Sequence, residues 1–299
     1  MNRGVLTVLL GTAFVSCVKE IEFNTEDVKT KIVVNSLFSN DSIWSIQLSN
    51  SKSILDTSKL KSIENAIVQV TEEQNNIITS FTHTGNGVYT STNFTPSASS
   101  TYKLEVNVPN YNAITSRSDC PLPVEIIGID SATTNFGNKP SLSVELSFND
   151  SNETKNYYIV DVIGNIKKYN QETGDTVSYF ERLQLSCSDP NIELVNSFET
   201  EGFGNVFNYI LLSDTNFSSD IYKLKFNIIN WSDLKDVDFQ GYIRLISASE
   251  DYFLYKKSFA IYQEVQGNPF ATPVQVYSNI ENGLGIFAAC SYSLWPINW

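Results

Sequence analysis

The chain is expected to be mainly β: an N-terminal antiparallel sandwich of immunoglobulin or prealbumin type, then a second β-rich domain with one aromatic-rich helix near the C-terminus. Three observations point there. Short runs rich in Val, Ile, Thr, Tyr and Phe alternate apolar with polar residues. Asn, Gly and Ser turns separate these runs at roughly the spacing of sandwich strands. A single stretch from Ser249 carries a helical 3–4 spacing instead. With 299 residues, 41% of them hydrophobic, the chain has enough apolar matter for a buried core and enough length for two domains.

Residues 31–37 open the folded body, and 44–49 and 66–71 alternate apolar with polar. Asn75-Asn76 marks a turn before 77–82, and Gly85-Asn86-Gly87 marks another before Val88-Tyr89-Thr90. The cleanest period of two runs over 102–108. Such alternation buries one face of each strand and so sets its register. Residues 29–120 therefore read as the N-terminal sandwich, with 51–61 as a polar loop. Cys120-Pro121-Leu122-Pro123 reads as a hinge, because two nearby prolines hold the backbone extended and end a ladder. Residues 121–299 read as the second domain, with strands at 124–129, 142–148, 157–163, 208–212, 222–229 and 239–246. The polar segment 168–179 reads as a projecting loop.

The helix is expected over about 249–265. Tyr252, Tyr255, Phe259 and Tyr262 recur at helical spacing and form one stripe. Ser249 suits the N-cap with Glu250 and Asp251 in the first turn, and Gly267-Asn268-Pro269 stops the element. Such a stripe most simply packs across the second sheet, while ligand stacking is the sharper alternative.

The first residues carry an address. Arg3 precedes the apolar segment 4–14, the size of a secretory h-region and too short to span a bilayer. Phe14-Val15-Ser16-Cys17 resembles a bacterial lipobox, with Phe14 in place of the usual Leu. The expectation is a signal peptide over 1–16, lipidation of Cys17, a linker over 17–28, and a body anchored to a membrane by acyl chains. Val18-Lys19-Glu20-Ile21-Glu22 resembles the surface-export signal of Bacteroidota lipoproteins and equally suits a plain charged linker. The formal charge of −13 argues against nucleic acid as a partner, since a phosphate backbone would be repelled.

Chemistry-bearing motifs are sparse. His83 is the only histidine and sits in a Thr-His-Thr-Gly-Asn-Gly hairpin, with no Gly-x-Ser-x-Gly elbow elsewhere. No phosphate-cradling loop or dinucleotide fingerprint occurs, so no cofactor and no catalytic residue are expected. Carboxylate pairs, the minimum for a glycoside hydrolase, arise by chance among 33 acids. Residues 232–238 lack the spacing of a calcium loop. Beyond Cys17, the cysteines are Cys120, Cys187 and Cys290, too widely spaced for a zinc site beside one histidine. They allow at most one bridge, for which Cys187 and Cys290 are the candidate pair. Trp44, Trp231, Trp295 and Trp299, with the tyrosines, offer flat rings for a glycan or peptide. The candidate contacts are Trp295 and Trp299 in the tail and Tyr252 and Tyr255 on the helix.

Several segments together resemble one family. They are Cys17-Val18-Lys19-Glu20-Ile21-Glu22, the strand 31–37, Ile54-Leu55, Ile63-Glu64-Asn65-Ala66, 82–89, Ser188-Asp189-Pro190-Asn191, Ser249-Glu250-Asp251-Tyr252 and, most distinctively, 268–287. On them the chain resembles uncharacterised Bacteroidota outer-membrane lipoproteins, catalogued as a domain of unknown function. The resemblance implies a place beside a TonB-dependent outer-membrane transporter and transfers no catalytic residue.

Overall fold

The computed structural model describes residues 30–297 apart from 42, 54–55, 92–93, 137–138, 152–153, 170–173, 194–196, 201–203, 218–219, 231–237, 267 and 269. Seven strands come first: β1 (Ile32–Ser39), β2 (Trp44–Asn50), β3 (Ile67–Glu72), β4 (Ile77–Gly85), β5 (Val88–Ser91), β6 (Thr101–Asn107) and β7 (Ile114–Asp119). After the prolines come β8 (Ile126–Phe136), β9 (Lys139–Asn149), β10 (Tyr157–Tyr169), β11 (Thr176–Arg182), β12 (Leu185–Cys187), β13 (Ser197–Thr200) and β14 (Gly204–Phe207). β15 (Ile210–Ser213), β16 (Ile221–Ile228), β17 (Asp238–Ala248), the helix α1 (Glu250–Val265) and β18 (Leu284–Ile297) complete the described elements. The mainly β class with a helix near the C-terminus is as expected.

Among the described residues these strands form two sheets. One runs β11-β10-β17-β18-β1-β2-β5-β4-β3-β6-β7, with β15 also on β10, and the other runs β13-β14-β12-β16-β9-β8. β4 is where the long sheet turns on itself. Its residues from Ile77 to Phe81 pair with β3, whereas those from Thr82 to Gly85 pair with β5. The two halves then face each other over a core of Val34, Trp44, Leu48, Val70, Tyr89, Leu104 and Ile114. Trp44 stacks on Phe38 at 4.1 Å and meets Tyr102 edge-on at 5.0 Å. Its indole N–H donates to Ser36 Oγ at 3.1 Å, which satisfies a polar atom otherwise stranded in that core. Asn86, at φ 51°, takes the left-handed conformation in the β4–β5 turn, as Asn tolerates best among residues other than glycine.

A second core lies between the six-stranded sheet and the far end of the long one. Val144, Leu146, Leu185, Leu224 and Phe226 meet Tyr158, Val160, Val162, Ile243 and Leu245. The segment expected as a polar loop at 168–179 differs: its first residues finish β10, and Thr176–Tyr179 belongs to β11, antiparallel to β10. β11 is exposed on both faces, so it carries no core-facing alternation that would announce a strand.

β18 joins everything. Through Cys290 it runs parallel to β1, and from Cys290 to Ile297 it runs antiparallel to β17. One of its faces passes from the first core, with Phe287 and Ala289, to Ile297 against the second. Thus the last strand of the second half completes the sheet of the first, across the division at 120/121. The stretch 279–282 secures this join. Asn279 bonds Phe287 through both side-chain atoms, Oδ1 receiving its N–H at 3.0 Å and Nδ2 donating to its carbonyl at 2.8 Å. Ser116 Oγ donates to the Asn279 carbonyl at 2.9 Å, and Asn282 Nδ2 to that of Ala113 at 3.0 Å. The most distinctive part of the family resemblance therefore includes a set of staples between β7 and β18.

Candidate functional site

A cleft of about 780 Å³ opens where four internal segments converge. Its walls are the Cys120-to-Glu125 segment, the end of β9 with Asn149 and Asp150, the start of β10 with Tyr157 and Tyr158, and the β17–α1 junction from Ser247 to Asp251. The residues expected to hinge are strapped in place here. Ser291 Oγ donates to the Pro121 carbonyl at 2.6 Å, and Ser293 Oγ to that of Val124 at 2.7 Å. The Val124 N–H donates to Ser247 Oγ at 3.2 Å. Small hydroxyls on β17 and β18 replace the ladder partners that a proline-containing segment lacks.

The helix begins on this wall as its sequence anticipates. Ser249 Oγ accepts the Tyr252 N–H at 3.2 Å, the expected N-cap bond. Ser249→Ala should cost about 1 kcal/mol of stability in urea unfolding; no measurable change would show that the packing of α1 alone decides its start.

The cleft is acidic: Asp119, Glu125, Asp150, Glu250 and Asp251 line it against Lys155. Asp150 is buried and accepts the Tyr158 hydroxyl at 2.5 Å, and Asn156 Nδ2 approaches it at 3.3 Å. Burial, with the adjacent Asp150 carboxylate, drives the Tyr158 hydroxyl far above its ordinary range. Glu250 accepts the Tyr157 hydroxyl and stands 3.9 Å from Lys155. Burial raises the Asp251 carboxyl, against the Tyr277 hydroxyl that donates to it at 2.6 Å, with Glu250 and Asp119 adding repulsion. The arrangement presents hydrogen-bond acceptors to a ligand rich in hydroxyl or ammonium groups. Among the described residues, no group of three or more His, Cys, Asp or Glu is placed to hold a metal.

The sequence-derived candidates scatter. Cys17 and Trp299, with Trp231 and residues 232–237, lie outside the described residues. Trp295 is 36% exposed on β18, opposite Ile243. The aromatic stripe divides, because the buried face of α1 is centred on Phe253 and Ala260. Tyr252 packs inward on that face. Tyr255, Phe259 and Tyr262 form a stacked ladder beside it, with centroid separations of 5.8 and 6.3 Å. His83 Nε2 accepts the Gly87 N–H at 3.3 Å, a turn-closing role.

The candidate disulfide is not formed. Cys187 and Cys290 are free, buried thiols in separate clusters, Cys187 between the facing sheets and Cys290 beneath α1. Burial pushes the Cys187 thiol up to about 11 and Cys290 to about 12, which favours the protonated form of both. Sequence reasoning missed Asp150, Tyr158 and Lys155 as a group, since no local pattern links the end of β9 to the start of α1. It also missed Asp161, whose signal was visible: an acid inside the apolar run Tyr157-Tyr158-Ile159-Val160-Asp161-Val162-Ile163.

The described residues thus define a double β-sandwich protein with one shared strand and an acidic cleft at the join. The chain belongs to a family described as a domain of unknown function, DUF4249, which it matches over residues 18–293. No curated protein matches it.

Proposed function

We propose that the protein is a lipid-anchored component of the outer membrane that faces the cell exterior and serves, without catalysis, as an accessory to a TonB-dependent transporter or similar surface complex. The observation that carries this reading is Phe14-Val15-Ser16-Cys17 at the end of a short apolar segment. A thiol acylated there leaves the folded body, from β1 onward, tethered to a bilayer face. A strand shared by both sandwiches and a strapped junction suit a rigid platform better than a closing enzyme. The test is affinity recovery from detergent-solubilised outer membrane. Co-recovery of a transporter in stoichiometric amount is expected, and release of the body into the soluble fraction by Cys17→Ala. Recovery of the protein alone, still membrane-bound, would overturn the accessory role.

The cleft favours a second reading, an independent glycan- or peptide-binding surface lipoprotein. Five carboxylate side chains against one lysine complement hydroxyl and ammonium groups. Calorimetry of the soluble form with neutral oligosaccharides and basic peptides separates the two, because binding without a transporter supports only this one. A weaker signal after Trp295→Ala would place the exposed tail indole in the contact.

A further inference from the structure

The loop between β2 and β3 plays no part in either reading, and its charge runs against the rest of the chain. Residues 50–62 hold Lys52, Lys59 and Lys61 against a single carboxylate, Asp56. Backbone bonds set a fourth lysine beside them. The Ser51 N–H donates to the Lys31 carbonyl at 2.7 Å, and the Lys31 N–H to Ser51 Oγ at 2.9 Å. At the same strand end the Asn50 N–H donates to the Lys61 carbonyl at 2.9 Å. Lys52 closes the loop, its Nζ donating to the Ser58 carbonyl. Asp56 is engaged within the loop, where Oδ1 accepts the Ser58 N–H at 2.8 Å. The next acid, Glu64, lies beyond the buried Ile63, whose N–H donates to the Leu48 carbonyl. All four lysines are exposed. Among the described residues no carboxylate stands at ion-pair distance from any of them.

This end of the body is also where the chain arrives from Cys17. Thr30 Oγ1 lies 3.1 Å from the Tyr111 hydroxyl, which is 3.4 Å from Asn50 Oδ1. Cys17 precedes Thr30 by 13 residues, a span of at most about 45 Å at full extension. An acylated Cys17 therefore keeps these lysines near lipid headgroups. Leu60, 56% exposed between Lys59 and Lys61, offers an apolar side chain to the headgroup boundary. The acidic cleft lies the other way. From Lys31 to Phe38 the chain rises seven residues along β1, about 23 Å. Phe38 opposes Ala289, whose carbonyl accepts the Ser249 N–H on the cleft wall at 3.0 Å.

We propose that Lys31, Lys52, Lys59 and Lys61 form a docking surface for the anionic phosphate headgroups of the bilayer that holds the acyl chains. Docking there turns the cleft away from the membrane. The proposal rests on the anchored reading and adds an orientation to it. In a chain of net charge −13 the rest of the body is repelled by an anionic surface, so this end approaches first. Each lysine near such a surface contributes about fivefold in affinity, and salt screens the attraction.

The acylated protein, extracted from membranes and added to preformed vesicles, tests this in two arms. Flotation with phosphatidylcholine vesicles reads the anchor alone, since those headgroups carry no net charge. Lysine acetylation by a water-soluble reagent, read by mass spectrometry, reads the surface. On phosphatidylglycerol vesicles the four lysines should react about fivefold more slowly than on phosphatidylcholine, and about 1 M salt should restore their rates. Lys223 and Lys225, exposed on β16, should react alike on both. Lys59→Glu with Lys61→Glu, which reverses the charge of the loop, should free Lys31 and Lys52 from protection. Flotation with equal rates on the two lipids, or protection that survives the double variant, overturns the docking surface and leaves the anchor standing. Failure to float overturns both.

Discussion

Asp161→Ala is expected to destabilise the protein by about 3–5 kcal/mol, the cost of stripping a buried ion pair of one partner. The carboxylate is 2% exposed and receives three charge-assisted contacts, two from Arg244 and one from Arg182. Without it Arg244 remains over the Tyr292 ring with its charge unmatched, and Arg182 loses the same partner. Urea unfolding should show the loss, and Asp161→Ala combined with Arg244→Met should recover much of it, because the second change removes the stranded charge. A single-variant loss below about 1 kcal/mol would refute the buried-pair argument, the 21% exposure of the Arg244 side chain then being enough to solvate its charge.

Gly285→Ala is expected to be comparably severe. Gly285 has φ +106°, which L side chains rarely adopt, and a Cβ there would stand 1.9 Å from the Val34 carbonyl oxygen in β1. Adding strain and overpacking gives roughly 3–5 kcal/mol. The damage should be local to the parallel β1–β18 ladder, which holds the two halves together. Limited proteolysis should then cut near β18 before elsewhere. Gly128→Ala is the control, because a Cβ there meets nothing within 4 Å. Equal effects from both would refute the steric argument.

Lys256→Met should stabilise the protein at pH 7, in contrast to both. A lysine whose folded pKa lies below its unfolded value costs stability while the unfolded chain holds the proton, and the cost fades as pH climbs from about 8 towards 10.5. The advantage of methionine should therefore be full at neutral pH and gone in strong base. A constant advantage across that range would point to packing instead.

Much of the fold is legible locally. The helix starts at its predicted cap because Ser249 supplies a side-chain acceptor and the next residues are acids. The β3–β4 and β4–β5 turns fall on Asn76 and on Gly85-Asn86-Gly87 because few other residues adopt positive φ there. Strand β6 alternates buried and exposed side chains as its sequence does. β11 was illegible for the opposite reason, having no buried face. The helix stripe misled in part, since period alone gives several aromatics one side of a helix without saying which side meets a sheet. The site was least legible: Asp119, Asp150 and Glu250 converge from three distant segments, and no spacing encodes that meeting.

The sequence by itself determined the β class, the capped helix, the turns and the lipobox-like start, because each is a property of neighbouring residues: side-chain periodicity, capping chemistry, backbone φ. Tertiary structure alone decided that β18 serves both sandwiches, that the prolines are strapped and that the three later thiols are buried without a bridge. It also placed two arginines around one buried acid. Those outcomes depend on which strands find each other across more than a hundred residues, and a hydrogen-bond ladder accepts any backbone until side-chain packing selects among them.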